Sequence, residues 1–127
     1  MVYRKTSLKT LDELDEALRE AAPRHKFGVL GVHVLKQTMK NKGVDFDAEV
    51  RVYEVCNPHH AKAVLLEAME VSTVLPCRVS IYSAGDRIEV ATTLPTELMK
   101  AFGSSPVMAA TAAEVEQAMK AMIDETV

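Results

Sequence analysis

Two tripeptides hold the residues best suited to chemistry: Cys56-Asn57-Pro58 and Leu75-Pro76-Cys77. They contain both cysteines of the chain, and each cysteine stands at the junction between an expected strand and another element. Asn57 is a good N-cap and Pro58 a good first helical residue, so Cys56 falls just before a helix N-terminus. The positive end of a helix dipole favours thiolate there. Such a sulfur can act as a nucleophile, a redox thiol or a soft-metal ligand. A free cysteine can equally well be a small apolar residue that ends a strand. Cys77 opens the next strand. In an antiparallel pair the end of one strand faces the start of its neighbour, which would place both sulfurs at the same end of the sheet. A bridge between them would stabilise by roughly 3 kcal/mol, and it requires Cα atoms within about 7 Å.

His59 and His60 follow Pro58 directly. Near a helix N-terminus a protonated imidazole is disfavoured, so both are expected to be neutral, the form that binds metals. Adjacent helical residues point about 100° apart, which keeps both from reaching one ion. A site of Cys56, His59 and Cys77, completed by His60 or His33, is one arrangement these residue types allow. No spacing matches a paired C-x-x-C zinc signature, and a solvated His pair at a helix start is the plainer alternative. His33 lies in an otherwise apolar run, where a core or interface imidazole with one hydrogen-bond partner is expected. Asp12, Glu13, Asp15 and Glu16 suit the first turns of a helix as a solvated face. Asp45 and Asp47, either side of Phe46, read as turn residues. There is no phosphate loop, dinucleotide fingerprint, nucleophile elbow or H-E-x-x-H helix.

The elements that must position these residues follow from capping and periodicity. Tyr3–Thr6 is a weakly signalled first strand. Thr10 and Glu13 form a capping box ahead of Leu11, Leu14, Leu18 and Ala21 at helical spacing, and Pro23 is expected to end that helix. Phe27–Val34 is apolar on both faces and so reads as a central strand, with Gly28 and Gly31 leaving room for another backbone. A short helix over Leu35–Asn41 stops at Gly43. Glu49–Val55 is a strand that runs into Cys56, and the helix after Pro58 presents Ala61, Val64, Leu65 and Ala68. Ser72–Pro76 is a connector. Cys77, Val79 and Ile81 alternate with Arg78, Ser80 and Tyr82, and the alternation resumes at Ile88 after Ala84-Gly85-Asp86, which makes a hairpin. Pro95–Phe102 is a short helix. Ser104-Ser105-Pro106 reads as a loop, and Thr111 and Glu114 as a second capping box opening the last helix.

The chain has 127 residues, which suits one domain over 1–127. Hydrophobic residues at 48% exclude a disordered chain, and the absence of Trp implies an aliphatic core filled in part by seven Met. A net charge of −3 without a basic block argues against a nucleic-acid partner. The apolar runs are strand-sized, so no membrane span is expected, and Met1–Lys9 has no apolar core of a signal peptide. Two cysteines in such a chain lead to the expectation of a cytoplasmic protein with reduced thiols. Strands that first alternate with helices and then form a hairpin define an α+β fold with a mixed or mainly antiparallel sheet.

Together with Lys26-Phe27-Gly28-Val29-Leu30 and Gly43-Val44-Asp45-Phe46, the two tripeptides resemble the bacterial and archaeal family called domain of unknown function 302, over roughly Tyr3–Thr93. The resemblance implies a two-layer sandwich with a β-α-β(4)-α theme, a sheet of about five strands with helices on one face, and often a two-fold dimer. It marks Cys56, Asn57, Pro58, Leu75, Pro76 and Cys77 as shared site positions and carries no reaction. His33 and the His59-His60 pair depart from the common pattern, and the tail after Pro106 reads as individual to this chain.

Three functions remain open at this level. One is a dimeric module that binds a small molecule or a partner around Cys56 and Cys77 without turnover. The second is a thiol redox or sulfur-handling protein, with Cys56 attacking and Cys77 resolving. The third is a soft-metal or haem site using Cys56 or Cys77 with His33, His59 or His60.

Overall fold

The computed structural model describes residues 1–127. Strands β1 (Val2–Ser7), β2 (Gly28–Val34), β3 (Val50–Cys56), β4 (Cys77–Ala84) and β5 (Arg87–Thr93) form one sheet in the order β1-β5-β4-β3-β2. Every neighbouring pair is antiparallel. Helices α1 (Leu11–Arg24), α2 (Leu35–Asn41), α3 (Pro58–Glu67), α4 (Pro95–Met99) and α5 (Pro106–Thr126) complete the chain, with 3₁₀ turns at Met69–Val74 and Lys100–Phe102. The α+β sandwich expected from the sequence is therefore present, with α2 and α3 inserted in the four-strand run.

Strand pleating sorts the residues into two layers. Tyr53, Val55, Val79, Ile81 and Val90 face the helices and, with Leu14 and Leu18 of α1 and Met119, Met122 and Ile123 of α5, form the main hydrophobic cluster. The opposite face of the sheet carries Val52, Glu54, Arg78, Ser80, Tyr82 and Thr93. Tyr53 is fully buried and its hydroxyl donates to Asp15 at 2.7 Å. Burial, then that carboxylate, pushes the phenol up to about 12.

Three local readings are corrected. The strand expected to be central, β2, is an edge: it pairs only with β3, with its register shifting between Val29 and Gly31. Its two-sided apolarity arises because Val29 and Val32 pack on the core while Leu30 stays 65% exposed at the bulge. No backbone approaches Gly28 or Gly31; the nearest foreign atom to a Cβ at Gly31 would be Glu54 Oε1, at 3.9 Å. Second, α5 starts at Pro106 and not at Thr111, because Ser105 caps it by accepting from the Met108 amide at 3.1 Å. Thr111 is buried mid-helix. Third, α1 continues one residue past Pro23 and closes with paired hydrogen bonds: Lys26 N–H donates to Pro23 O and Phe27 N–H to Ala22 O. This is a Schellman ending, and it holds Lys26 at φ 64 and turns Phe27 inward. By contrast, the Thr10–Glu13 capping box and the β4–β5 hairpin form as the sequence indicates.

Candidate functional site

Val55 and Cys77 are partners across the β3–β4 ladder. That register brings Cys56 and Leu75-Pro76-Cys77 to one end of the sheet. Asn57 then starts α3 as expected: its Oδ1 accepts from the amides of His59 at 2.9 Å and His60 at 3.2 Å. Pro58 occupies the first turn, where no amide proton is needed.

A second, smaller hydrophobic cluster lies beyond the sheet end. Val64 of α3, Val71 of the 3₁₀ turn, Met99 of α4, and Met108 and Ala112 of α5 make it. Cys77 packs against the main cluster and Leu75 against the second, so the Leu75-Pro76-Cys77 tripeptide spans the seam. In that seam is a cavity of about 30 Å³. Phe27, Val55 and Val115 line it from the main cluster, Val64, Met99 and Ala112 from the second, and Cys56, Asn57, His60, Leu75 and Cys77 close it. This volume admits a group the size of one or two waters.

His60 is, with Asn57 and Thr111, one of the polar residues of the wall. Its Nε2 lies 3.2 Å from a Glu114 carboxylate oxygen, and its ring centroid is 6.2 Å from that of Phe27. Its Nδ1 is buried without a hydrogen-bond partner. Such an atom is a place where a bound water or ligand donor restores a lost hydrogen bond.

Both thiols are free. Burial pushes the Cys56 thiol up from its ordinary value. Burial, and then the neighbouring Cys56, pushes Cys77 up to about 11. At Cys56, burial thus opposes the pull of the helix dipole. Asn57 already occupies the first free amides of α3, and apolar walls remove the water a thiolate would need.

The histidines do not gather around the sulfurs. His33 lies on edge strand β2 and pairs with Glu54, and His59 is exposed and outside the cavity wall. No group of three or more His, Cys, Asp or Glu side chains is placed to hold one ion. His60 alone joins the cysteines.

A larger hollow of about 470 Å³ opens on the face of the sheet opposite α1 and α5. Val52, Arg78, Ser80, Tyr82, Ala91 and Thr93 form its floor, and Val74, Pro76, Pro95, Leu98 and Met99 its wall. It shares Cys77, Pro95 and Met99 with the seam cavity. Sequence reading placed Arg78, Ser80 and Tyr82 on the outward face of β4 by alternation. It had no signal that α4 and the 3₁₀ turn would wall that face at one end. A third hollow, about 460 Å³ and open, runs from Cys56 past Leu65, Leu66 and Met69 of the α3 side.

An all-antiparallel five-stranded sheet, helices on one face and a motif-lined cavity at its end define a small α+β sandwich domain. The family model "Domain of unknown function DUF302" matches residues 3–126, and the chain belongs to that family. The match runs through α5, so the tail after Pro106 is part of the family domain and not individual to this chain. The chain is similar to the crystal structure of an uncharacterized conserved DUF302 protein from Bacillus stearothermophilus, with 28% identity and a TM-score of 0.92. The alignment covers 99% of this chain and 98% of that one. No curated protein matches. No helix is long and apolar enough to cross a membrane.

Proposed function

We propose that this domain is a binding module for a small ligand, with its site around Leu75-Pro76-Cys77 and Cys56 and no turnover of its own. One observation carries the reading: the seam cavity and the 470 Å³ hollow share Cys77, Pro95 and Met99 in their walls. A hollow of this size falls in the range of small-molecule sites, and the mixture of apolar walls with a few polar groups is typical of them. The thiols act as neutral, polarisable wall atoms. Their raised pKa values weigh against an attacking Cys56 with Cys77 resolving, and the dispersed histidines weigh against haem or a soft metal. Free thiols fit a reducing compartment, so a cytoplasmic setting belongs to this reading.

Pairing with a second copy is part of the proposal. The family resemblance supports it, and so do Leu66 and Met69, 76% and 74% exposed along the hollow beside Cys56. Light scattering at several concentrations tests this, with a dimer mass expected.

The binding reading is tested by titrating the protein with the uncharged fluorescent probe N-phenylnaphthylamine. Saturable binding of one probe per chain is expected, and Ser80→Trp, which fills the floor of the hollow, is expected to abolish it. Absence of saturable binding to the unmodified protein contradicts the reading.

A further inference from the structure

We infer that the open-face hollow takes an amphipathic anion, with Arg78 holding the anionic group and the α4 side holding the apolar body. The inference rests on the binding reading above and names its ligand class.

The lining divides into two halves. Val74, Pro76, Pro95, Leu98 and Met99 make one side apolar. Ser80, Tyr82 and Thr93 line the other side together with Arg78. Arg78 is the only charged residue in the lining. It is exposed, and its guanidinium is in none of the ion pairs or side-chain hydrogen bonds of the chain.

The acids of this face are engaged elsewhere. Glu54 stands opposite Arg78 in the ladder, yet its carboxylate pairs through Oε1 with His33 and makes no ion pair with Arg78. Glu89 stands opposite Tyr82 and accepts its hydroxyl at 2.6 Å. Arg4, opposite Ala91 on the same face, adds positive potential and no competing acid. A guanidinium left without a carboxylate at the mouth of a half-apolar hollow presents a planar fork of donors suited to a carboxylate, sulfonate or phosphate. The apolar half supplies the area that a purely ionic contact would lack.

Two probes with the same aromatic body separate this from the binding reading: anilinonaphthalene sulfonate carries the anion and N-phenylnaphthylamine does not. At low ionic strength the sulfonate is expected to bind about tenfold more tightly, the size of effect a charge-assisted hydrogen bond produces. Arg78→Gln should remove that advantage and leave the neutral probe unchanged, and added salt should shrink it. Ser80→Trp should abolish both, with the thermal midpoints of the variants confirming that they fold. If the neutral probe binds but Arg78→Gln leaves the sulfonate affinity intact, the anion anchor is wrong and the hollow stands. If neither probe binds the unmodified protein, the binding reading itself fails. Binding that survives Ser80→Trp lies elsewhere on the surface and overturns the assignment.

Discussion

Val55 stands directly opposite Cys77 across β3 and β4. This single register relationship places Cys56, Asn57 and the Leu75-Pro76-Cys77 tripeptide around one seam. The helix-facing sheet layer meets a second hydrophobic cluster there, and the cavity sits between them. Residues of the two tripeptides thus form a wall, built from two chain segments that a strand ladder brings side by side.

Cys77 links stability to alkaline pH. Its folded-state pKa is raised by burial from 9.0 to about 11. The folded state favours the protonated thiol, so its contribution is fully present below pH 9 and is lost as pH rises through about 11. The loss amounts to about 2–3 kcal/mol. Tyr53, pushed to about 12, acts in the same direction at higher pH. Urea unfolding between pH 8 and 11, compared with Cys77→Ala, isolates the cysteine: the variant should be less stable at pH 8 but should show a shallower decline.

Lys26 is held at φ 64 at the end of α1, where glycine is the favoured residue. Left-handed backbone costs a side-chain-bearing residue about 1 kcal/mol. Lys26→Gly should therefore raise the unfolding free energy by about that amount, measured by urea titration. Lys26→Val should lower it.

Asn57 satisfies two amides from a buried position. Asn57→Ala should cost about 1–2 kcal/mol, and Asn57→Ser should recover most of it. Because α3 carries His60 to the cavity, hydrogen exchange of the amides of His59 and His60 should accelerate in the alanine variant before the sheet is affected.

The start of α5 separates two residues of similar chemistry. Ser105→Ala removes the cap and should cost about 1 kcal/mol. The Thr111 hydroxyl makes no hydrogen bond and the residue lines the cavity. Thr111→Val should therefore be neutral or slightly stabilising. Equal losses at both positions would contradict the helix start at Pro106.

Much of this arrangement was legible in the sequence because the signals were local. Asn57-Pro58 announces a cap and a first turn, Thr10 and Glu13 announce another, and the Ala84-Gly85-Asp86 turn closes the hairpin, with Gly85 at φ 65. The alternation from Cys77 to Tyr82 separates core from outer face correctly. What escaped depended on tertiary placement. Ser105-Pro106 has the same chemistry as Asn57-Pro58, but Thr111 and Glu114 imitate a cap in the middle of a longer helix. Gly28–Val34 looks central because its outward Leu30 sits on a bulge. Lys26 gives no glycine signal for the Schellman ending. The hollow over Arg78 needed α4, which no pattern within β4 reports. At Cys56, where the sequence left a thiolate and an apolar strand end both open, the Asn57 cap and the apolar wall act at the same place as the dipole and oppose it.

The most direct test of the central claim, a binding site walled by neutral thiols, is the pH profile of native-state alkylation. Cys56 and Cys77 are treated with iodoacetamide from pH 6 to 11 and their modification rates are read separately by mass spectrometry. The account predicts slow reaction at neutral pH for both, with Cys56 rising only above the ordinary thiol range and Cys77 reaching half its limiting rate near pH 11. A plateau reached by either cysteine near pH 7 or below would reveal a thiolate poised for chemistry and contradict it.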